Sequence, residues 1–177
     1  MVKRGVENDK MKINYDITIG LWQLLNRTGH LVQKVNQRDL NEFGISARGS
    51  AILLTISRLG NNATIKGIAQ QQYLEHHTVR EHLLRMEKAG LVKRIKDLEW
   101  KNLVRIEMTD KGYKLCKLIM KKQSVKDVIS SLTAEEQKEL WYLLSKIREH
   151  SMKRLGMKNI RPYPPSDIEE YLSEYSG

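Results

Sequence analysis

The sequence predicts a mainly α fold in which a winged helix-turn-helix module sits between long N- and C-terminal helices. Three observations predict it. Two short amphipathic segments lie close together between Ala63 and Ala89. The hydrophobic period then changes from that of a helix to the alternation of a strand between Leu91 and Met108. Longer helical patterns stand on either side of this stretch, before Asn41 and after Thr109. Helix, turn, helix and β-hairpin in that order form a unit that offers one helix to the DNA major groove and a hairpin beside it.

Taken in order, residues 1–14 are charged and lack an apolar run, and read as a flexible arm rather than a signal peptide. From Tyr15 to Asn41, Ile17, Leu21, Leu24, Leu25, Leu31 and Val35 recur at helical spacing. Ser46 is the expected N-cap of a second helix, with Ile52, Leu53, Ile56 and Leu59 as its apolar set. In the third, Ile65, Ile68 and Ala69 share a face, and Gln70, Gln71 and Gln72 suit an exposed end. The fourth carries Val79, Leu83 and Met86 as a core stripe. Gly90 is placed to end it in the left-handed conformation. Two extended runs follow, and in the second Val104, Ile106 and Met108 alternate with Arg105 and Glu107. Thr109 is expected to cap one helix running to about Ile129, with Leu115, Leu118 and Ile119 on its apolar side and Lys114, Lys117 and Lys121 on the other. Thr133 and Glu136 have capping-box spacing and open a last long helix bearing Leu140, Leu143, Leu144 and Ile147. All three prolines, Pro162, Pro164 and Pro165, come after Arg161 and impose an extended connector before a short acidic helix with Ile168, Tyr171 and Leu172 on one side. The sequence leaves open whether this tail docks or moves freely.

Composition narrows the function. The chain has 177 residues and a net charge of +10, a balance that favours a polyanionic partner. Between His76 and Arg105 eight Lys or Arg residues face four Asp or Glu. Basic and acidic residues alternate, which fits a shaped DNA site better than the broad basic surface of a non-specific chromatin protein. The single cysteine, Cys116, permits no intrachain disulfide and fits a reducing cytoplasm. No run approaches the length of a transmembrane helix, so no membrane partner is expected. No P-loop, dinucleotide-binding glycine pattern, HExxH or GxSxG motif occurs. Neither an enzyme nor a cofactor is expected, and His76, His77 and His82 lack the spacing of a metal set.

The candidate DNA-contacting residues follow from the fourth helix. Away from its core stripe lie His76, His77, Thr78, Arg80, Glu81, His82 and Arg85. His77, Thr78, Arg80 and Glu81 are assigned to base edges, with His76 beside them, and Arg85 to phosphate. Arg94 and Lys96 on the first strand add cations beside the helix.

At these residues the chain resembles the MarR family of transcriptional regulators. The stretch from Ile68 to Arg94 matches the family's recognition-helix segment, including its Leu-Glu-x-x-Gly-Leu-Val end, here Met86 to Val92. Met108 to Gly112 matches the Leu-Thr-x-x-Gly close of the wing, and the segment from Phe43 to Gly60 resembles the opening of the second helix. The resemblance spans about Tyr15 to Leu155. Three departures stand out. The wing tip, an Asp-x-Arg step in the family, is Trp100-Lys101-Asn102 here, with Lys101 as the substitute cation. Tyr73 stands in the turn where glycine is common. Gly49 and Ser50 replace bulkier residues, which suggests extra room for a ligand.

The resemblance implies a division into dimerisation helix 15–45, DNA-binding module 46–111, dimerisation helices 112–155 and a C-terminal extension, 156–177. It implies a homodimer on double-stranded DNA with a pseudo-palindromic operator. It also implies a repressor released by a small aromatic effector, with Trp22, Arg27, His30 and Arg48 as candidate ligand contacts. Redox control through Cys116 is the competing expectation, aided by Lys114 and Lys117 nearby but opposed by a place close to the core face.

Overall fold

The computed structural model describes residues 16–96, 104–122, 124–157 and 160–173. The first helix, α1, runs Ile17–Asn41 and is capped by the Asp16 carboxylate, which accepts from the Thr18 and Ile19 N–H groups. Helix α2 (Ala47–Leu59) starts at Ser46 as expected, its hydroxyl accepting from the Gly49 N–H. A 3-10 turn (Gly60–Asn62) leads to α3 (Ile65–Gln72) and then α4 (His76–Lys88). Strands β1 (Val92–Lys96) and β2 (Val104–Met108) pair antiparallel, with Val92 opposite Met108 and Lys96 opposite Val104. Beyond them lie α5 (Asp110–Met120), α6 (Ser124–Ile129), α7 (Ala134–Arg154) and α8 (Ile168–Ser173). The hairpin is widened by the chain before α3, where the Ile106 N–H donates to the Ala63 carbonyl at 2.8 Å.

The core gathers around α2. Ile52, Leu53 and Ile56 are buried with Leu40, Ile68, Ala69, Val79, Leu83, Met86, Val92, Ile106, Met108 and Cys116. Gly49 and Ser50 also point inward and are buried. A Cβ on Gly49 would meet Ile45 Cγ1 at 3.0 Å and Ser46 Oγ at 3.2 Å. The small residues therefore serve close packing, and the extra ligand room expected there is already filled.

Three other expectations are corrected. The helix that Thr109 caps ends at Met120, and α6 is a separate piece packed on α1. No glycine or proline marks the break. At the break the chain meets the end of α1: Lys122 Nζ lies 2.8 Å from Glu42 Oε2 and 5.0 Å from the centre of the Phe43 ring. Leu118 is half-exposed instead of lying inward with Leu115 and Ile119. Gln71 and Gln72 do not form an exposed end. Gln72 Nε2 donates to Thr55 Oγ1 at 2.7 Å, and Gln71 bridges Arg58 and the Arg161 carbonyl.

The local stops fall where the sequence puts them. Gly90 has φ +69° and follows α4. Thr133 and Glu136 form the reciprocal capping box of α7. Thr109 accepts from the Gly112 N–H and donates to the Gly90 carbonyl at 2.6 Å, which ties the hairpin's exit to the end of α4. The C-terminal segment docks: Trp141 Nε1 donates to the Ser166 carbonyl at 3.0 Å, and the Trp141 and Tyr171 rings lie 4.8 Å apart.

At Gly112 the backbone of α5 presses on the end of β1's lead-in, and a Cβ there would overlap the Leu91 carbonyl oxygen. Because that oxygen also accepts from the Thr109 N–H, it cannot withdraw cheaply. Gly112→Ala should cost about 3 kcal/mol or more. Thr109→Ala, which loses a cap and one further hydrogen bond, should cost about 1–2 kcal/mol. Urea unfolding of the two variants tests the order; an alanine at 112 that unfolds like the wild type overturns the packing described.

Candidate nucleic-acid interface

The fourth helix is held by one side only. Val79, Leu83 and Met86 are buried, whereas His76, His77, Arg80, Glu81, Leu84, Arg85 and Lys88 face solvent. Thr78 and His82 are half-buried at the edge of the exposed face. Five of the candidate base and phosphate contacts thus share one open surface: His76, His77, Arg80, Glu81 and Arg85.

The start of α4 differs chemically from the other long helix starts. Side chains of Asp16, Ser46, Thr64, Thr109 and Thr133 cap α1, α2, α3, α5 and α7. Glu75, at the N-cap of α4, makes no such bond, and the first turn holds no acid. The leading N–H groups of that helix remain available to an anion, at the end where its dipole is positive. In front of them lies a groove of about 540 Å³, lined by Thr64, Ile65, Lys66, His76, His77, Arg80 and Val104. Lys66 was missed by the sequence reading, which looked for contacts only on α4 and the hairpin. Its position just after the Thr64 cap, on the polar side of α3, is the signal that could have found it.

The hairpin cations are mostly engaged. Arg94 Nε lies 3.2 Å from Glu87 Oε2, and Lys93 Nζ lies 3.2 Å from Glu107 Oε2. The first pair ties β1 to α4, so a DNA contact by Arg94 would have to compete with Glu87. Lys96 is exposed at the end of β1. The expected wing-tip contacts Trp100, Lys101 and Asn102 lie outside the described residues.

Of the candidate ligand residues, Trp22 and Arg48 stand far apart within one chain. Gln37 on α1 meets the start of α2, accepting from the Ala47 N–H at 2.7 Å, which places Arg48 at that level. Trp22 stands about 22 Å further along α1, since a helix rises about 1.5 Å per residue. Trp22, Arg27 and His30 are all exposed, as is Arg48. Cys116 is 2% exposed, and burial pushes its thiol above the ordinary range, partly offset by a hydrogen bond with Ser57. The thiolate that redox control requires is disfavoured there. Among the described residues no three His, Cys, Asp or Glu side chains gather as a metal set, and no helix is long and apolar enough to cross a membrane.

No family model matches the chain. Two curated relatives do. The HTH-type transcriptional regulator PecS of Dickeya dadantii is 26% identical over 130 residues, 71% of this chain and 78% of that one. The uncharacterized HTH-type transcriptional regulator YsmB of Bacillus subtilis is 27% identical over 132 residues, 73% of this chain and 89% of that one. Among solved structures, the organohalide-sensing regulator RdhR-CbdbA1625 bound to 2,4-dichlorophenol superposes with a TM-score of 0.78 at 26% identity, covering 93% of this chain and 96% of that one. A mutant MarR from E. coli in complex with operator DNA gives 0.68 at 22% identity, covering 74% and 95%. The protein has the winged-helix fold of MarR family regulators, as the sequence motifs implied.

His82 supplies a check on the placement of α4. Burial holds its imidazole below the ordinary range, Arg85 and Arg48 add to this, and Glu81 opposes it. A depressed folded value means that the unfolded chain takes up the proton first. The stability due to neutral His82 is therefore complete above about pH 6.5 and is lost as the pH falls through the folded value. His82→Gln should lose less stability than the wild type between about pH 7 and pH 5. Urea midpoints across that range measure it, and identical pH profiles for the two proteins would contradict the burial of this edge.

Proposed function

We propose that the protein is a homodimeric transcriptional regulator that binds double-stranded DNA at a pseudo-palindromic site, and a repressor released by a small aromatic ligand. The observation that carries the DNA-binding part is the open polar face of α4, with an uncapped start, a groove bearing Lys66 and Arg80, and a hairpin beside it. Such a helix reads base edges with its first turns while backbone amides and cations hold phosphates. The pairing of Lys93 and Arg94 with acids speaks against a purely electrostatic, non-specific binder. A neighbour with the same fold, the mutant MarR of E. coli, is in complex with operator DNA.

The dimer rests on uncovered apolar surface. Ile17, Leu21, Trp22, Leu24 and Leu31 on α1, and Leu143 and Ile147 on α7, are exposed in the single chain. Apolar faces of that extent mark association surfaces. A two-fold pair would bury them and present two copies of α4 to successive turns of the groove. The division into dimerisation helices, DNA-binding module and C-terminal extension follows from this arrangement, with the chain acting in the cytoplasm.

The ligand reading has support from the RdhR-CbdbA1625 neighbour, which binds a chlorinated phenol. Trp22 lies too far along α1 to share a small pocket with Arg48 in one chain, so a pocket holding both draws on both subunits. A ligand seated between α1 and the module lowers DNA affinity only by binding the two head spacings unequally. Tenfold needs about 1.4 kcal/mol of such coupling.

Three measurements test the reading. Arg80→Ala should cost about 1–3 kcal/mol in operator affinity and relax one base position. Lys66→Ala should weaken all duplexes alike and lower the salt slope by about one. Equal binding by Arg80→Ala and wild type at every base would refute the register assigned to α4. In sedimentation the chain should run as a dimer at micromolar concentration, and a monomer removes the palindromic site. A thermal-shift screen of aromatic acids and phenols should give hits that weaken DNA binding; hits without that effect overturn the release mechanism.

A further inference from the structure

The segment after α7 touches both α7 and the helix-turn-helix. On the α7 side, Arg148 Nη1 donates to the Pro164 carbonyl at 2.6 Å and Nη2 to Ser166 Oγ at 3.1 Å. Trp141 holds Ser166 and stacks near Tyr171, and the Tyr171 and Tyr163 rings lie 6.1 Å apart. On the other side, the Arg58 guanidinium carbon lies 3.8 Å over the centre of the Tyr163 ring. Arg58 Nη2 donates to Gln71 Oε1 at 2.8 Å, and Gln71 Nε2 donates to the Arg161 carbonyl at 3.1 Å. Arg58 and Gln71 are each the last residue but one of their helices, α2 and α3, so both precede turns of the DNA-binding module. A third link joins the same region directly to α7: the Tyr73 hydroxyl donates to Met152 Sδ at 3.6 Å. Tyr73 has φ +52°, in the turn that leads to α4.

These contacts form a closed path from α7, through the tail, to the turn that aims α4. Without it, α7 reaches α4 along the chain only through α6, α5 and the hairpin. We propose that residues 160–173 form a strap fixing the orientation of the helix-turn-helix against α7, with Tyr163 as a positioning residue that acts through Arg58 and Gln71. The proposal rests on the DNA-binding reading above. Neither side chain need touch DNA: a planar cation over an aromatic face has a preferred geometry, and it sits where the strap meets α2 and α3. The gap enclosed by Arg58, Gln71, Arg161, Pro162, Tyr163 and Pro165 is only about 80 Å³, so the junction has little slack.

The test uses the full chain with Tyr163→Ala, Tyr163→Phe and Arg58→Leu, each checked for a native circular dichroism spectrum. Amide hydrogen exchange at Gln71 to Leu74 reads attachment of the strap without DNA. Binding to operator and to unrelated duplex, each across a salt series, reads positioning. Tyr163→Ala should speed exchange in the turn and weaken operator binding about three- to tenfold, leaving the salt slope and the affinity for unrelated duplex unchanged. Tyr163→Phe keeps the ring and should restore both readings to within about twofold of wild type. Arg58→Leu, which cuts the contact from the other side, should behave like Tyr163→Ala. Unchanged exchange and affinity in Tyr163→Ala overturn the strap, as does faster exchange with unaltered operator binding, or failure of phenylalanine to rescue. Arg80→Ala separates the two levels: if it weakens operator binding while Tyr163→Ala does not, only the strap fails. If wild type binds no duplex, the DNA-binding reading fails and the positioning role falls with it.

Discussion

Burial of α2 over more than half of its circumference is the constraint from which the rest of the fold is built. Six of its thirteen residues are buried: Gly49, Ile52, Leu53 and Ile56 form one stripe, and Ser50 and Thr55 widen it on either side. A helix enclosed in this way needs small residues where neighbours come close and must satisfy its polar groups internally. Ser50 and Thr55 do so by donating to the carbonyls of Ala47 and Ala51. Helices α1, α3, α4 and α5 and strand β2 all pack on this one rod. The aim of α4 is thus inherited from α2: Val79 and Leu83 lock one side into the shared core, and the polar face is what remains.

The parts of this arrangement legible in the sequence are those set by nearest neighbours. Ser46, Thr109 and Thr133 stand three residues before the N–H they receive from, and Gly90 comes just after the C-cap of its helix, Ala89. The outward face of α4 was legible for the same reason, because three apolar residues at helical spacing define which side is left. What was not legible depends on contacts that only the folded chain makes. Nothing near Lys122 announces a break, and its partner there is Glu42, eighty residues earlier. Gln71 looks like a solvated glutamine until the Arg161 carbonyl, ninety residues later, comes back to it. Arg94 reads as a free cation until the turn at Gly90 brings it back to Glu87. Gly49 and Ser50 suggested space because the pattern counts bulk on one helix and is blind to Ile45 arriving from the preceding loop.

Two kinds of surface divide the molecule. Around α2 the apolar residues are closed off, and the polar face of α4 is left bare. Along α1 and α7 the balance is reversed, with large apolar side chains open to solvent in a single chain. The apolar residues that close the module are therefore distinct from those left open along the long helices. The C-terminal segment lies where the two regions meet. Its contacts there are directional, made of carbonyl acceptors, a guanidinium and aromatic rings, with little of the sliding freedom of an apolar interface.

Cys116 gives the closed core a natural clock. It is the one thiol in 177 residues, and it lies behind α2 with 2% of its surface exposed. A reagent in solution meets it only when α5 parts from the module. When reclosing outpaces reaction, the modification rate is the opening equilibrium multiplied by the rate for a free thiol. Each molecule so modified carries a permanent mass tag that records one opening event. The unaltered chain can in this way report how often its core comes apart under native conditions, with no denaturant and no engineered label.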